Sequence, residues 1–172
     1  MQTMRGLIFT LTGLVALGLA APAVAQGSKA TKIGQHSAWG TYSFSQESGK
    51  VCYVLTVPTD KQPPTLNHGD MFFFVSQKPG QNVSYEPQFI AGYAFQESSK
   101  VKVSIGDKSF SMFTRGQSAW MENAAEEPSL VAAMKAGTDM KVVATSGRGN
   151  PTNYVFSLKG ISAALDSIAA CK

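Results

Sequence analysis

Between residues 38 and 157 short apolar stretches alternate with polar breaks that carry glycine or proline, and inside most of these stretches the apolar positions repeat every second residue. That period belongs to strands with one face in a core. Residues 38–45 (AWGTYSFS) and 50–57 (KVCYVLTV) are rich in aromatic and β-branched types and flank Glu47-Ser48-Gly49, which predicts a hairpin. Pro58 and the Pro63-Pro64 pair stop the second strand. The run 71–76 (MFFFVS) is apolar at consecutive positions and predicts a central strand covered on both faces. In KVKVSIGDKSFSMF, a turn at Gly106-Asp107 pairs Val103 with Phe110 and Val101 with Met112, and leaves Lys108 at the rim. A slip of one residue would turn Phe110 and Met112 outward, so the register is well specified. Further strands are expected at 89–95, 118–121, 139–145 and 153–157.

The period changes to that of a helix in two places. In EEPSLVAAMKAG (126–137) the acids and Pro128 stand at the start, Lys135 in the last turn and Gly137 beyond it, the order of helix start and stop signals. Near the end, Ile161, Leu165 and Ile168 recur at helical spacing, and Cys171 follows on the same apolar face. Short strands with turns about every ten residues, and no regular alternation of strand and helix, predict an all-β fold. The expected form is a β-sandwich of antiparallel strands with one internal helix and a C-terminal helix packed on it, in a single domain over residues 38–172.

What precedes that domain is of another kind. Arg5, the apolar run Leu7 to Leu19 and the triplet Ala23-Val24-Ala25 match the three parts of a secretory signal peptide, so residues 1–25 are expected to be cleaved. The run is shorter than the about 20 apolar residues of a spanning helix, and no later stretch is apolar enough to cross a bilayer. Residues 26–37 are expected to form a flexible lead-in. The product would be periplasmic or secreted. Its charge, 15 Lys+Arg against 11 Asp+Glu before Arg5 is removed, is mildly basic without a dense cluster. This excludes a nucleic-acid footprint and leaves weak attraction to anionic surfaces.

Export decides how the cysteines are read. There are two, Cys52 and Cys171; disulfides persist outside the reducing cytosol, and two cysteines allow one intramolecular pairing. A reactive thiol would need a C-x-x-C partner or a histidine close by, and the sequence has neither.

Candidate chemistry is sparse. The histidines are His36 and His68, far apart and outside any zinc spacing. No cofactor or metal is expected. His68 near Asp70 reads as an exposed loop histidine, and Glu122, Glu126 and Glu127 as helix-start acids favoured by the backbone dipole. A small secreted hydrolase using these carboxylates and His68 is the alternative to a non-enzyme, and it requires them to converge in a cleft. No nucleophile elbow, P-loop or dinucleotide fingerprint occurs. Beyond the leader the chain has two arginines, Arg115 and Arg148, each beside glycine, in Thr114-Arg115-Gly116-Gln117 and Ser146-Gly147-Arg148-Gly149-Asn150. Both are candidate ligand-binding residues for a carboxylate or phosphate. Trp39 and Trp120 are expected to be core anchors.

Taken together, Ala38-Trp39, Lys50-Val51-Cys52-Tyr53, Ser118-Ala119-Trp120, the segment Leu130 to Gly137, Thr145-Ser146-Gly147-Arg148-Gly149 and Tyr154 to Gly160 leading to Cys171 resemble the invasion-associated locus B family of secreted proteins of Gram-negative bacteria. The resemblance spans nearly the whole chain after the leader. It implies an exported, β-rich, non-enzymatic envelope protein, linked in the family's namesake to entry into host cells. Trp39 is followed by Gly-Thr-Tyr-Ser-Phe without a cysteine, so the chain is similar to a short, two-cysteine variant. The expected function is therefore an exported, non-catalytic binding or structural module whose partner is a protein or another envelope component.

Overall fold

A computed structural model describes residues 29–171 of the chain; the expected leader, 1–25, lies outside the described residues. The strands are β1 (Thr31–His36), β2 (Trp39–Gln46), β3 (Gly49–Thr56), β4 (Asp60–Gln62), β5 (Phe72–Lys78), β6 (Val83–Ile90), β7 (Lys100–Ile105), β8 (Lys108–Arg115), β9 (Ser118–Met121), β10 (Asp139–Thr145) and β11 (Pro151–Ser157). Helix α1 (Glu127–Ala136) joins β9 to β10, and α2 (Ile161–Ile168) follows β11. All eleven strands belong to one sheet in the order β1-β2-β3-β5-β6-β9-β8-β7-β10-β11-β4. Each pairing is antiparallel.

The layers expected of a sandwich are the two halves of this single sheet. Phe73 on β5 and Phe89 on β6 lie 5.9 and 6.1 Å, ring to ring, from Phe156 on β11, although five strands separate β5 from β11 in the sheet order. The sheet has therefore curled until its inner face meets itself. Phe73, Phe89 and Phe156 are fully buried, as are Val101, Val103, Met112 and Val142 from the strands between and Val54 from β3. Burying each such side chain is worth about 1.5–3 kcal/mol. Trp39 closes one end: its indole Nε1 donates to the Ser157 carbonyl at 3.0 Å, and the Ala38 amide donates to the Lys159 carbonyl at 3.2 Å. The start of β2 is thereby held to the end of β11.

The β7–β8 hairpin has the expected register, Val103 opposite Phe110 and Val101 opposite Met112, with Gly106 in the left-handed conformation at φ +54°. Helix α1 forms where its signals lie and buries Leu130, Val131, Ala133 and Met134. Gly137 after it has φ −89°, so left-handed geometry is not its role. A Cβ there would stand 2.5 Å from Ile105 Cγ2 and 3.0 Å from Leu158 Cδ1, and glycine is what lets the helix end approach the sheet.

Helix α2 buries Ile161, Ala164, Leu165 and Ile168, one stripe at helical spacing, and packs on β1, β2 and β3. Cys171 lies just beyond it and is bonded to Cys52 of β3, with Cα atoms 5.9 Å apart and a sequence separation of 119.

Three expectations are corrected. The second half of the lead-in, 26–37, is β1: its side chains are largely exposed, so the hydrophobic pattern is faint, and the strand is held by pairing with β2. The strand expected at 89–95 is displaced, with β6 covering Val83–Ile90. Pro87 inside β6 is a residue that weakens a strand pattern in sequence, and Tyr85 takes the left-handed conformation at φ +54°. The run 71–76 is not covered on both faces. Phe73 and Val75 point into the core, whereas Phe72 and Phe74 lie partly exposed on the outer face, 5.8 Å apart.

The bridge closes a loop long enough for a chain-entropy contribution of about 4–5 kcal/mol. Urea unfolding of a Cys52→Ala/Cys171→Ala variant is expected to show a loss approaching that value. Thiol labelling of the unfolded, unreduced protein should find no free cysteine; labelling of Cys171 would contradict the bridge.

Candidate functional site

Three loops meet at one end of the sheet: residues 63–70 between β4 and β5, residues 91–95 after β6, and the β10–β11 turn 146–150. Their approach is a matter of glycines. A Cβ at Gly92 would lie 2.5 Å from the His68 carbonyl oxygen and 2.6 Å from Gly69 Cα, so only hydrogen allows the first two loops to touch. The third is tied in by the Gly147 amide, which donates to the Ala94 carbonyl at 2.7 Å, and by the bridge between Phe95 and Ser146. Between them lies a cleft of about 480 Å³, within the usual size of small-molecule sites. Arg148, Asn67, Asn150, Tyr93, His68 and Thr152 supply its polar lining, Leu66 and Ala94 part of its apolar wall.

Under the cleft runs a chain of hydrogen bonds. His68 Nε2 faces the Pro63 carbonyl at 2.9 Å and His68 Nδ1 faces the Tyr154 hydroxyl at 2.8 Å. A carbonyl can only accept, so Nε2 carries the proton, and in the neutral ring Nδ1 accepts from Tyr154. The Thr152 hydroxyl donates to the Ala144 carbonyl at 3.2 Å, and the Tyr93 hydroxyl lies 2.9 Å from the Tyr154 oxygen and 2.6 Å from the Thr152 oxygen, both of which can accept its proton. Every member has a partner, as buried polar groups require. His68 is 6% exposed and Thr152 and Tyr154 1% each, which corrects the reading of His68 as an exposed loop residue. The histidine is a buried strut that holds its loop to β11, with both ring nitrogens engaged.

The expected site residues separate. Arg148 lines this cleft, exposed, with no ion-pair partner among the described residues. Arg115 lines a different hollow, beside Glu97 and Gly116. Cys52 and Cys171 form the bridge described above. Asp70, Glu122, Glu126 and Glu127 do not line the cleft. Glu122 is bound to Lys100 at 2.6 Å, and that hydrogen bond first, with one from Ser111, holds its carboxyl below the usual value. Glu127 stands in the first turn of α1, where burial and then the charge of Glu86 push its carboxyl up. Among the described residues no cluster of three His, Cys, Asp or Glu side chains is placed to hold a metal ion. Trp39 is the core anchor expected, but Trp120 is on the outer face, stacked on Phe113 at 5.7 Å. Tyr93, Thr152 and Tyr154 carry no sequence signal linking them to His68: the partners are 86 positions apart for His68 and Tyr154, and 59 for Tyr93 and Thr152.

Burial above all pushes the Tyr154 phenol far above its ordinary value, and Tyr93 adds to this while Thr152 opposes it. Burial and then Tyr42 raise Tyr53 as well. A raised phenol stays protonated in the folded protein while the unfolded chain ionises near pH about 10. Stability should therefore be intact below that pH and fall as the pH rises beyond it. Urea midpoints measured at increasing alkaline pH are expected to show this decline, with a shallower slope for Tyr154→Phe.

No curated protein matches the chain, and no solved structure does. No helix among the described residues is long and apolar enough to cross a membrane. The family model described as Invasion associated locus B (IalB) protein matches residues 39–169, from the tryptophan that closes the sheet to the end of the clamped helix. The chain belongs to the invasion associated locus B family.

Proposed function

We propose that the protein is an exported, non-catalytic binding module of the envelope, periplasmic or secreted, which holds a carboxylate or phosphate group of an envelope component in the cleft at Arg148. The observation that carries this reading is the cleft's complement of groups. Among the described residues Arg148 has no acidic partner, no carboxylate lines the walls, and both nitrogens of the histidine below are occupied. The side-chain amide of Asn67 is also available, since its Oδ1 accepts from the Gly69 amide while its nitrogen has no partner among the described residues. A guanidinium beside amide donors suits an oxyanion, which it can bind in bidentate fashion. General acid–base chemistry needs a group free to take or give a proton at a substrate, and the cleft offers none in that state.

Export is supported by the disulfide, which is stable in oxidising compartments, by the leader pattern of residues 1–25, and by the envelope association of the family. Recovery of the protein in the cytosol on cell fractionation would contradict it. The family name also brings in a contribution to host-cell interaction or invasion; a deletion strain that attaches and enters normally would remove that part. A hydrolase is the weaker reading, because the carboxylates it would need do not line the cleft with His68.

Amide NMR titration of the disulfide-intact mature protein with acetate and with inorganic phosphate tests the site. Shifts are expected at residues 147–150 and 67–69, with affinity falling about tenfold or more in Arg148→Gln, as loss of a charge-assisted pair implies, and unchanged in Arg115→Gln. Equal titration of wild type and Arg148→Gln would overturn the assignment.

A further inference from the structure

The inner face of the sheet is accounted for by the core, but its outer face carries a second apolar surface. Strand register lines up Leu55, Phe74, Gln88, Trp120, Phe113 and Lys100 in one row across β3, β5, β6, β9, β8 and β7, each directly opposite the next. Tyr42, Tyr53 and Phe72 flank the row and with Phe74 form one set of rings, which Gln88 separates from the Trp120–Phe113 pair. Tyr42 and Tyr53 stack at 5.2 Å, and Tyr53 and Phe74 lie 5.6 Å apart. These side chains shield one another in part, yet Phe113 remains 44% exposed and Val143, further along the same face, 40%.

Some of the charges on this face are paired within the chain and others are not. Lys78 is paired with Glu86 and Lys100 with Glu122, so those four cancel within the chain. Beyond the aromatic row, on β8, β7 and β10, Arg115, Lys102 and Lys141 point outward and form no ion pair among the described residues; the carboxylates near them are Asp139 on β10, Glu97 in the hollow beside Arg115, and Asp60, in register with Lys141 through Val155. Lys102 lies opposite Val143, and Arg115 is two residues from Phe113 on the same side of β8, so the cations and rings adjoin. Aromatic rings with polar edges beside unpaired Lys and Arg match the boundary of an anionic bilayer, where rings enter the headgroup layer and cations meet phosphates.

We propose that this outer face rests on an anionic lipid surface, with Trp120 and Phe113 in the headgroup layer and Arg115, Lys102 and Lys141 against lipid phosphates. The contact is peripheral and reversible, lies on a different surface from the Arg148 cleft, and does not depend on a ligand there. It leaves the cleft free to meet its own partner at the membrane.

The two tryptophans make a direct test, because Trp39 is 0% exposed while Trp120 belongs to this face. Disulfide-intact mature protein is mixed with phosphatidylcholine vesicles and with vesicles containing phosphatidylglycerol, then sedimented, and tryptophan emission is recorded. Co-sedimentation with the anionic vesicles is expected, together with a blue shift and quenching by brominated acyl chains, both reporting Trp120. Lys102→Gln and Lys141→Gln should each weaken partitioning about fivefold, and added salt should do the same. Phe113→Ser, at a site exposed enough to keep the fold, which near-ultraviolet circular dichroism checks, should lower partitioning without altering acetate titration at Arg148. The proposal is overturned if the wild-type protein stays in the supernatant, if it sediments without any change in Trp120 emission, or if the variants partition like wild type. It is likewise overturned if the face instead mediates self-association, seen as a dimer in sedimentation equilibrium that Phe113→Ser dissociates while vesicles bind neither form.

Discussion

A continuous antiparallel sheet must hide one of its faces, and in this chain it does so against itself. The contacts among Phe73, Phe89, Phe156 and Tyr154 join β5 and β6 to β11, strands distant in sheet order. Much else follows from that closure. It brings the β2 start to the β11 end, where Trp39 bonds the Ser157 carbonyl. It also leaves an opening at one end that three loops fill, and those loops make the cleft. The aromatic cluster is thus both the core and the scaffold of the site, because Tyr154 touches Phe89 on one side and His68 on the other.

The disulfide serves the opposite flank. Helix α2 covers the inner face of β1, β2 and β3, and a short terminal helix by itself would fray. Gly160 at its start takes φ +92° and passes so near His36 that a Cβ would stand 2.1 Å from that carbonyl oxygen. Cys171 fixes the other end of the helix to Cys52. The helix is therefore held at both ends, by close backbone packing and by a covalent bond. A domain secured in this way keeps its outer face and its loop cleft in a constant relation.

Legibility from sequence followed the strength of local pattern. Val101, Val103 and Ile105 alternate cleanly with polar residues and are joined by Gly106 to Phe110 and Met112, so their register was readable. Ile161, Leu165 and Ile168 likewise announced the buried stripe of α2. Thr31–His36 and Asp60–Gln62 were not readable, because they are edge strands that bury little and owe their conformation to the neighbours they pair with. MFFFVS misled for a related reason: an outward aromatic row has the same local pattern as a strand buried on both faces. Arg148 was legible as a candidate by its glycine-rich turn, but His68 was not legible as a buried strut.

Residue types, spacing and the leader pattern by themselves determined the all-β class, the two helices, the pairing of Cys52 with Cys171 and the family resemblance, since each rests on local periodicity or on a choice with one outcome. The tertiary structure alone decided that the two layers are one sheet, that Arg148 shares a cleft with His68 while Arg115 does not, and that Trp39 lies inside and Trp120 outside. Those facts depend on which distant strands meet, and contact between segments dozens of residues apart is settled by how the whole sheet closes, not by any window of sequence.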